Sequence, residues 1–201
     1  MKVRKETGRL GLDPDVGKIG SALFFILLFS LAQPNINGYN QFRKCHSNCV
    51  NGILHAIGMP MAVSGVFLIV RAASDSPSFT RLLQTIVTTL YLSLYLQYES
   101  DPRSPWIFYV LYMGIFECIL YRKLYNNLKF KRGNFFVMGV VLVFINVGAL
   151  ETIGHGVYEK HHSYVLEFFN SVVHTPLYGI NSILSSSGFT EAQPKYDHVC
   201  W

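Results

Sequence analysis

The chain has 201 residues, of which half are apolar and only 14% are charged, and its formal net charge is +5 at pH 7. A soluble domain carries about 25% charged residues, so this composition excludes a protein whose whole surface faces water. The length suits a single domain. The basic residues lie between apolar runs rather than along one stripe, which favours membrane topology over nucleic-acid binding as their explanation.

The apolar runs predict an all-α fold, a polytopic helical membrane bundle with four to six membrane helices. Residues 1–18 are predicted to form a polar N-terminal tail. Residues 19–33 are apolar and are predicted to be an uncleaved anchor that spans the bilayer or lies at its interface, with a signal peptide as the rival interpretation. Four further spans, each near the roughly 17–25 residues that cross a bilayer, are predicted at 53–70, 82–98, 106–121 and 135–153.

After the last span, residues 164–184 predict an amphipathic helix that lies over the membrane or partly within it, and residues 186–201 predict a C-terminal tail. The four cysteines show neither a disulfide framework nor the paired spacing of a zinc ribbon. Cys118 lies inside an apolar run and is predicted to be buried.

Basic residues cluster in the connections between spans. Arg71 and Arg81 flank the first turn, and the loop before the last span holds Arg122, Lys123, Lys129, Lys131 and Arg132. The positive-inside rule therefore assigns both connections to the cytosol. The first span leaves the face that holds His55, and the three further crossings return the chain to that face at His155. This makes four crossings, an even number, so both histidines are predicted to lie at one membrane face.

Polar side chains that can bind metal lie at the ends of these apolar runs. Because such residues are costly near a membrane, they are functional candidates by default. Neutral imidazole is a common metal ligand, and His155 and Glu159 are four residues apart, so a helix presents both to one ion. His46 and His55 are nine residues apart, about half a turn out of phase on a straight helix. Either the chain bends near residues 49–52, or His46 lies on a preceding element.

Other polar residues near these motifs have weaker assignments. Arg43 and Lys44 precede His46 and could attract a carboxylate head group, although ordinary contact with lipid head groups explains them equally well. The remaining histidines are His161, His162, His174 and His198. His161 and His162 are predicted to be solvated, and no pattern around His198 indicates a function. His174 fits a packed residue or a contact with lipid head groups as well as a metal ligand.

The pattern H-x4-N-x3-H-x2-G-x-P, followed about a hundred residues later by I-G-H-G-V-[FY]-E-K, resembles the 2-hydroxy fatty acid dioxygenase family. The chain carries it at His46, Asn51, His55, Gly58 and Pro60 and at residues 153–160. The family consists of small endoplasmic-reticulum membrane proteins, and its yeast member acts in phytosphingosine breakdown. The resemblance covers about residues 38–185, which implies a membrane-embedded dioxygenase-like domain there and makes residues 19–33 an addition.

The resemblance implies an iron(II)-dependent reaction in which a long-chain 2-hydroxy fatty acid and dioxygen give the fatty acid one carbon shorter, carbon dioxide and water. Carried over by motif position, His46, His55 and His155 would bind the iron. Glu159 would be a fourth ligand or a partner of one, and Asn51 would orient a histidine. The chain departs from the family pattern at Cys45, Cys49, His161, His162, Ser163 and His174.

Two other functions remain open. A di-iron membrane hydroxylase or desaturase needs many histidines in HxxxH and HxxHH boxes, whereas this chain has seven histidines and neither box. A non-catalytic membrane scaffold or channel-like protein would keep the same histidines near the head groups. Iron content with and without His55→Ala separates the enzyme from the scaffold.

Overall fold

The structure is a computed structural model that describes residues 12–32, 34–44, 46, 48–99, 101–127, 129–159 and 165–186; these residues form helices and no strand. The helices are α1 (Pro14–Leu31), α2 (Ile36–Lys44), α3 (Cys49–Ser74), α4 (Pro77–Tyr98), α5 (Arg103–Ile115), α6 (Arg132–Phe144) and α7 (Val165–Ser186). The predicted all-α fold is confirmed. The predicted N-terminal tail is wrong for residues 14–18, which belong to α1, because the Asp13 side chain caps that helix.

Two of these helices continue as π-helix. α5 runs on through Phe116–Tyr125, and α6 runs on through Ile145–Glu151 and Gly154–Glu159. π-helical segments are rare and occur frequently at functional sites. The continuation of α6 is the part of the chain that carries His155.

Among the described residues, four helices are long and apolar enough to cross a membrane, in agreement with a multi-pass membrane protein: Pro14–Leu31, Val50–Ser74, Arg103–Tyr125 and Arg132–Tyr158. The predicted anchor is therefore part of a helix of spanning length. It packs into the bundle, since Phe25 stacks on Phe67 of α3 with ring centroids 5.3 Å apart.

Helix α4 has spanning length but a more polar composition, and it is not among those four. Polar residues lie on both of its faces: Thr80, Gln84 and Thr88 are buried, whereas Thr89, Ser93 and Gln97 are exposed. The exposed face also carries the apolar residues Leu82, Ile86, Leu90 and Leu96. The span predicted at 82–98 is a helix in the structure, and its crossing of the membrane stays a prediction.

The helices connect so that the two histidine segments lie at the same end of the bundle. Arg132, at the start of α6, donates hydrogen bonds to the carbonyl oxygens of Ala72 and Ala73 near the end of α3, at 2.8 and 3.1 Å. The other ends of α3 and α6 bring His55 and His155 together. We call the first end the basic end and the second the histidine end. The prediction that both histidines share one face is confirmed.

Helices α3 and α6 touch through their main chains at two glycines. A Cβ atom built on Gly139 would lie 2.6 Å from the carbonyl oxygen of Gly65, and one on Gly65 would lie 2.7 Å from that of Gly139. Any larger residue would push the helices apart. Small residues allow such close approach between membrane helices, and here the contact fixes how α3 and α6 lie along each other.

Helix α7 lies inside the bundle, which agrees with the predicted helix partly within the membrane rather than with a helix that lies over it. Every residue from 171 to 182 except Val172 is buried. Pro176 lacks an N–H, which leaves the carbonyl of Val172 without its partner in the helix. The Tyr91 hydroxyl donates to that oxygen at 2.8 Å, and the Tyr95 hydroxyl donates to the carbonyl of Val173 at 2.6 Å. Two tyrosines of α4 thus donate hydrogen bonds to carbonyl oxygens of α7 near its internal proline.

The outer faces of the helices carry apolar residues that are exposed on the bundle. On α6 these are Phe136, Val137, Val140, Val141, Phe144, Ile145 and Val147. Cys118 also faces outward on the π-helical part of α5, so its predicted burial is wrong. In a membrane bundle an apolar run contacts lipid as readily as it contacts the core, because lipid tails are as apolar as the core side chains.

Replacing Gly139 by Ala should destabilise the fold, because the new methyl group meets main-chain atoms of α3 that cannot move aside. Overpacking of this kind typically costs about 1–3 kcal/mol. Gly114→Ala is the matched control, since a Cβ there meets no atom within 4 Å. Thermal unfolding in detergent micelles should show a lower Tm for Gly139→Ala alone, and equal Tm values for the two variants would contradict the described packing.

Candidate metal centre

His46 lies between α2 and α3, on an element that precedes the helix of His55. Its ring stacks on Phe42 with centroids 3.9 Å apart, and its Nδ1 lies 2.8 Å from the Phe42 carbonyl oxygen. A carbonyl can only accept, so Nδ1 carries the proton and Nε2 carries the lone pair that a metal requires. The Tyr178 hydroxyl of α7 donates to the His46 carbonyl at 2.5 Å, which ties this segment to the bundle interior.

His55 lies in the second turn of α3 and is almost fully buried, with 2% of its surface exposed. Asn48 caps the helix by accepting a hydrogen bond from the main-chain N–H of Val50 at 2.8 Å. The His55 Nδ1 atom lies 3.0 Å from Glu151 Oε1. Its Nε2 atom has no hydrogen-bond partner among the described residues. One nitrogen is therefore held by a carboxylate while the other is available to a ligand.

His155 lies on the last π-helical segment of α6 and is also buried. Its Nε2 atom lies 3.2 Å from Glu151 Oε2. Each oxygen of the one carboxylate thus faces a different histidine, one on α3 and one on α6. A carboxylate behind a metal-binding histidine orients the ring and raises its basicity.

The three imidazoles converge. Their candidate ligand nitrogens lie within 4.8 Å of one another, and the ring centroids of His46, His55 and His155 are 4.8 to 5.4 Å apart. Two nitrogens bound to one ion at about 2.1 Å lie no more than about 4.2 Å apart. Small side-chain rotations would meet that geometry. The donor set therefore fits a transition metal with imidazole ligands and positions left for other groups.

Glu151 is a candidate site residue that the sequence patterns did not single out. The motif directed attention to Glu159, four residues after His155, but the side chain of Glu159 lies outside the described residues. Glu151 stands four residues before His155, which also brings it to the same helix face. The available signal was an ionisable residue within an apolar run, which is expensive in a membrane and marks function by default.

Asn51 lies directly against the segment that carries His155. A Cβ on Gly154 would lie 2.0 Å from Asn51 Oδ1, so only glycine leaves room for the amide. Asn51 is fully buried, and neither atom of its amide group has a hydrogen-bond partner among the described residues. Its proximity to His155 agrees with its place in the motif, and its role in orienting a histidine stays a prediction.

A second polar cluster holds α2, and with it Phe42 and His46, at the histidine end. Asn181 of α7 donates to Glu99 Oε1 at 2.7 Å and to the Tyr39 hydroxyl at 3.0 Å. The Tyr39 hydroxyl donates to Glu99 at 3.1 Å. Burial is the main cause that holds the pKa of Tyr39 well above its ordinary value, so the hydroxyl keeps the proton it donates.

The residues that the sequence marked as weaker site candidates do not belong to the group of three histidines. The Arg43 guanidinium lies over the Tyr39 ring, 5.5 Å from its centroid, and the side chain of Lys44 lies outside the described residues. His174 is fully buried among aromatic rings, with Phe42 and Tyr98 centroids 6.0 and 5.7 Å away. It is not part of the group of three. His161, His162 and His198 lie outside the described residues.

A cavity of about 230 Å³ lies between α3, α6 and α7, and of the three histidines His155 lines it. Its polar end includes Glu151, Thr152 and His155. Its remaining wall is mostly apolar and is formed by Met59, Ala62, Val63, Val66, Val143, Asn146, Val147, Gly156, Ser171 and Val172. The centre is thus buried from water but connected to an apolar space within the bundle.

Metal analysis of the purified protein tests the assignment of the three histidines. Replacing His46, His55 or His155 singly by Gln should reduce bound metal to background, because each removes one of the three converging nitrogens. His174→Phe is the control, since Phe keeps the aromatic contacts and the residue lies outside the group. Equal metal content in wild type and His155→Gln would contradict the site, provided that circular dichroism shows equal helicity.

Glu151→Gln should weaken metal binding without abolishing it. Loss of a partner behind the ligands typically costs 10–100-fold in affinity, and an amide cannot accept a hydrogen bond with both of its terminal atoms. Glu117→Gln is the control, because Glu117 pairs with Arg81 at 2.7 Å, near the basic end. Competition with a chelator of known affinity measures the change, and identical affinities for the two variants would remove Glu151 from the centre.

Comparison of the chain with protein-family profiles, curated proteins and solved structures gave no match.

Proposed function

We propose that this protein is an iron(II)-dependent dioxygenase that shortens long-chain 2-hydroxy fatty acids by one carbon. The observation that carries the proposal is the buried group of three histidines beside a mostly apolar cavity in a helical membrane bundle. Such a centre suits a substrate with a polar head that binds metal and an apolar tail. The motif resemblance supports iron as the metal and a 2-hydroxy fatty acid as the substrate.

In this proposal His46, His55 and His155 hold ferrous iron, and Glu151 holds the rings of His55 and His155 in their binding orientations. Ferrous iron supplies a site where the 2-hydroxy carboxylate and dioxygen can be brought together and electrons exchanged. The protein supplies a buried pocket that excludes water and an apolar wall for the tail. Burying each methylene relative to water contributes about 0.8 kcal/mol.

The reaction balances without another cofactor. A 2-hydroxy acid, R–CH(OH)–COOH, and one dioxygen give R–COOH, carbon dioxide and water. Cleavage of the bond between the first two carbons releases four electrons in total, and one dioxygen accepts four. The substrate therefore brings all the reducing power the reaction needs. A plain fatty acid lacks the hydroxyl that starts the oxidation and completes the chelate.

The resemblance alone supports an endoplasmic-reticulum location and a place in sphingoid-base breakdown. The described spans support a multi-pass membrane protein. The di-iron alternative lacks support from the described residues, since only three histidines converge there. A non-catalytic scaffold remains the alternative if the metal centre binds no substrate.

Turnover by purified protein in lipid nanodiscs tests the proposal. With ferrous iron and air, 2-hydroxyhexadecanoic acid should give pentadecanoic acid and carbon dioxide, with one dioxygen consumed per product. Hexadecanoic acid should remain unchanged, and His55→Gln should be inactive while it still inserts into the membrane. Recovery of unchanged hydroxy acid from iron-loaded wild type would favour the scaffold, and a requirement for NADPH would favour the hydroxylase.

A further inference from the structure

The cavity beside the histidines has one polar end and one closed apolar end. Glu151 and His155 lie at the polar end, at the level of His55 on α3. Val66 and Val143 lie at the opposite end. Just beyond them Gly65 and Gly139 bring the main chains of α3 and α6 into contact, so no gap between those two helices continues the cavity. A linear amphiphile whose head lies at Glu151 and His155 therefore has its tail toward this apolar end.

Part of the cavity wall lies at the outside of the bundle. Val147, which lines it, is 40% exposed, and Thr152 and Gly156 are exposed as well. These residues belong to α6, whose outward face carries the apolar residues Val140 and Phe144, 42% and 72% exposed. An opening in that face meets lipid tails rather than water, which provides a direct route for a single-chain lipid.

The volume limits how much of a chain fits. A cavity of about 150 Å³ holds benzene, which has six carbons, so 230 Å³ holds about nine carbons by the same proportion. A long-chain acid has more carbons than that. Because the end at Val66 and Val143 is closed, the remaining tail must leave through the side opening at Val147.

From these observations we propose that the cavity is a laterally loaded acyl site. It encloses roughly the first nine carbons of a single-chain 2-hydroxy acid, and the rest of the tail stays in the bilayer beside α6. This inference rests on the proposed function for the identity of the head group. It adds where the tail lies, how it enters and why acids of different length can share one site.

Photolabelling in nanodiscs of phosphatidylcholine tests the inference, with anaerobic conditions preventing turnover. Two probes are compared, 2-hydroxyhexadecanoic acid with a diazirine at carbon 6 and the same acid with a diazirine at carbon 15. The carbon-6 probe should label residues that line the cavity, such as Met59 and Val63. The carbon-15 probe should label the outer face of α6, such as Phe144. Cavity labelling by both probes, or by neither, would overturn the proposal.

Val147→Phe and Val140→Phe form a matched pair of variants. The two valines stand seven residues apart on the outer face of α6 and are 40% and 42% exposed, but only Val147 lines the cavity. Val147→Phe should reduce cavity labelling by the carbon-6 probe at least fivefold, and Val140→Phe should leave it unchanged. Equal labelling in the two variants would contradict entry through this opening.

Parallel turnover assays separate this inference from the proposed function. Turnover by wild type with carbon-6 labelling confined to the outer surface would overturn the acyl site and leave the activity standing. Cavity labelling without turnover in aerobic, iron-loaded protein would overturn the activity and leave the acyl site standing.

Discussion

The histidine end of the bundle is organised around a carboxylate kept among the helices. The Glu151 side chain is only 16% exposed, and removing an ionised carboxylate from water costs several kcal/mol unless partners compensate it. The partners are His55 and His155, one at each oxygen. A divalent cation bound by His46 and by the opposite sides of these two imidazoles would offset the negative charge of the carboxylate, so the same contacts that stabilise the helix pair also favour a metal.

The remainder of the fold brings these groups together. Direct main-chain contact at Gly65 and Gly139 fixes α3 against α6, and this sets the level at which His55 meets Glu151. Helix α7 runs through the interior and holds the His46 segment through Tyr178. The polar cluster around Glu99 ties α2 to the same helix. A buried site needs rigid support, and here it comes from three helices far apart in sequence.

The sequence predicted the part of this arrangement that follows from residue type and the number of crossings. Apolar run lengths predicted the long helices, and the even number of predicted crossings, four, between the positions of His55 and His155 predicted that they share an end. The pattern left open whether His46 lies on a bend or a separate element, because nine residues of spacing do not determine a connection. The structure separates it from α3 by the turn at Asn48.

Other features could not be predicted because they depend on packing. The amphipathic pattern of α7 left open whether the helix lies over the membrane or partly within it. Its burial depends on tyrosines of α4, about 80 residues away, whose hydroxyls donate hydrogen bonds to its carbonyl oxygens. The cavity depends on where α3 and α6 touch, which no local pattern encodes. Glu151 was recognisable as an acid in an apolar run, whereas its contact with two histidines required the fold.

X-ray absorption spectroscopy at the iron edge of the ferrous protein tests the central claim most directly, because it counts the imidazoles bound to the metal. The account predicts scattering from three imidazole rings in wild type and from two in any residual iron bound by His155→Gln. Wild-type spectra without imidazole scattering would contradict iron binding by the three histidines. Identical spectra of wild type and His155→Gln at equal iron content would contradict it as well.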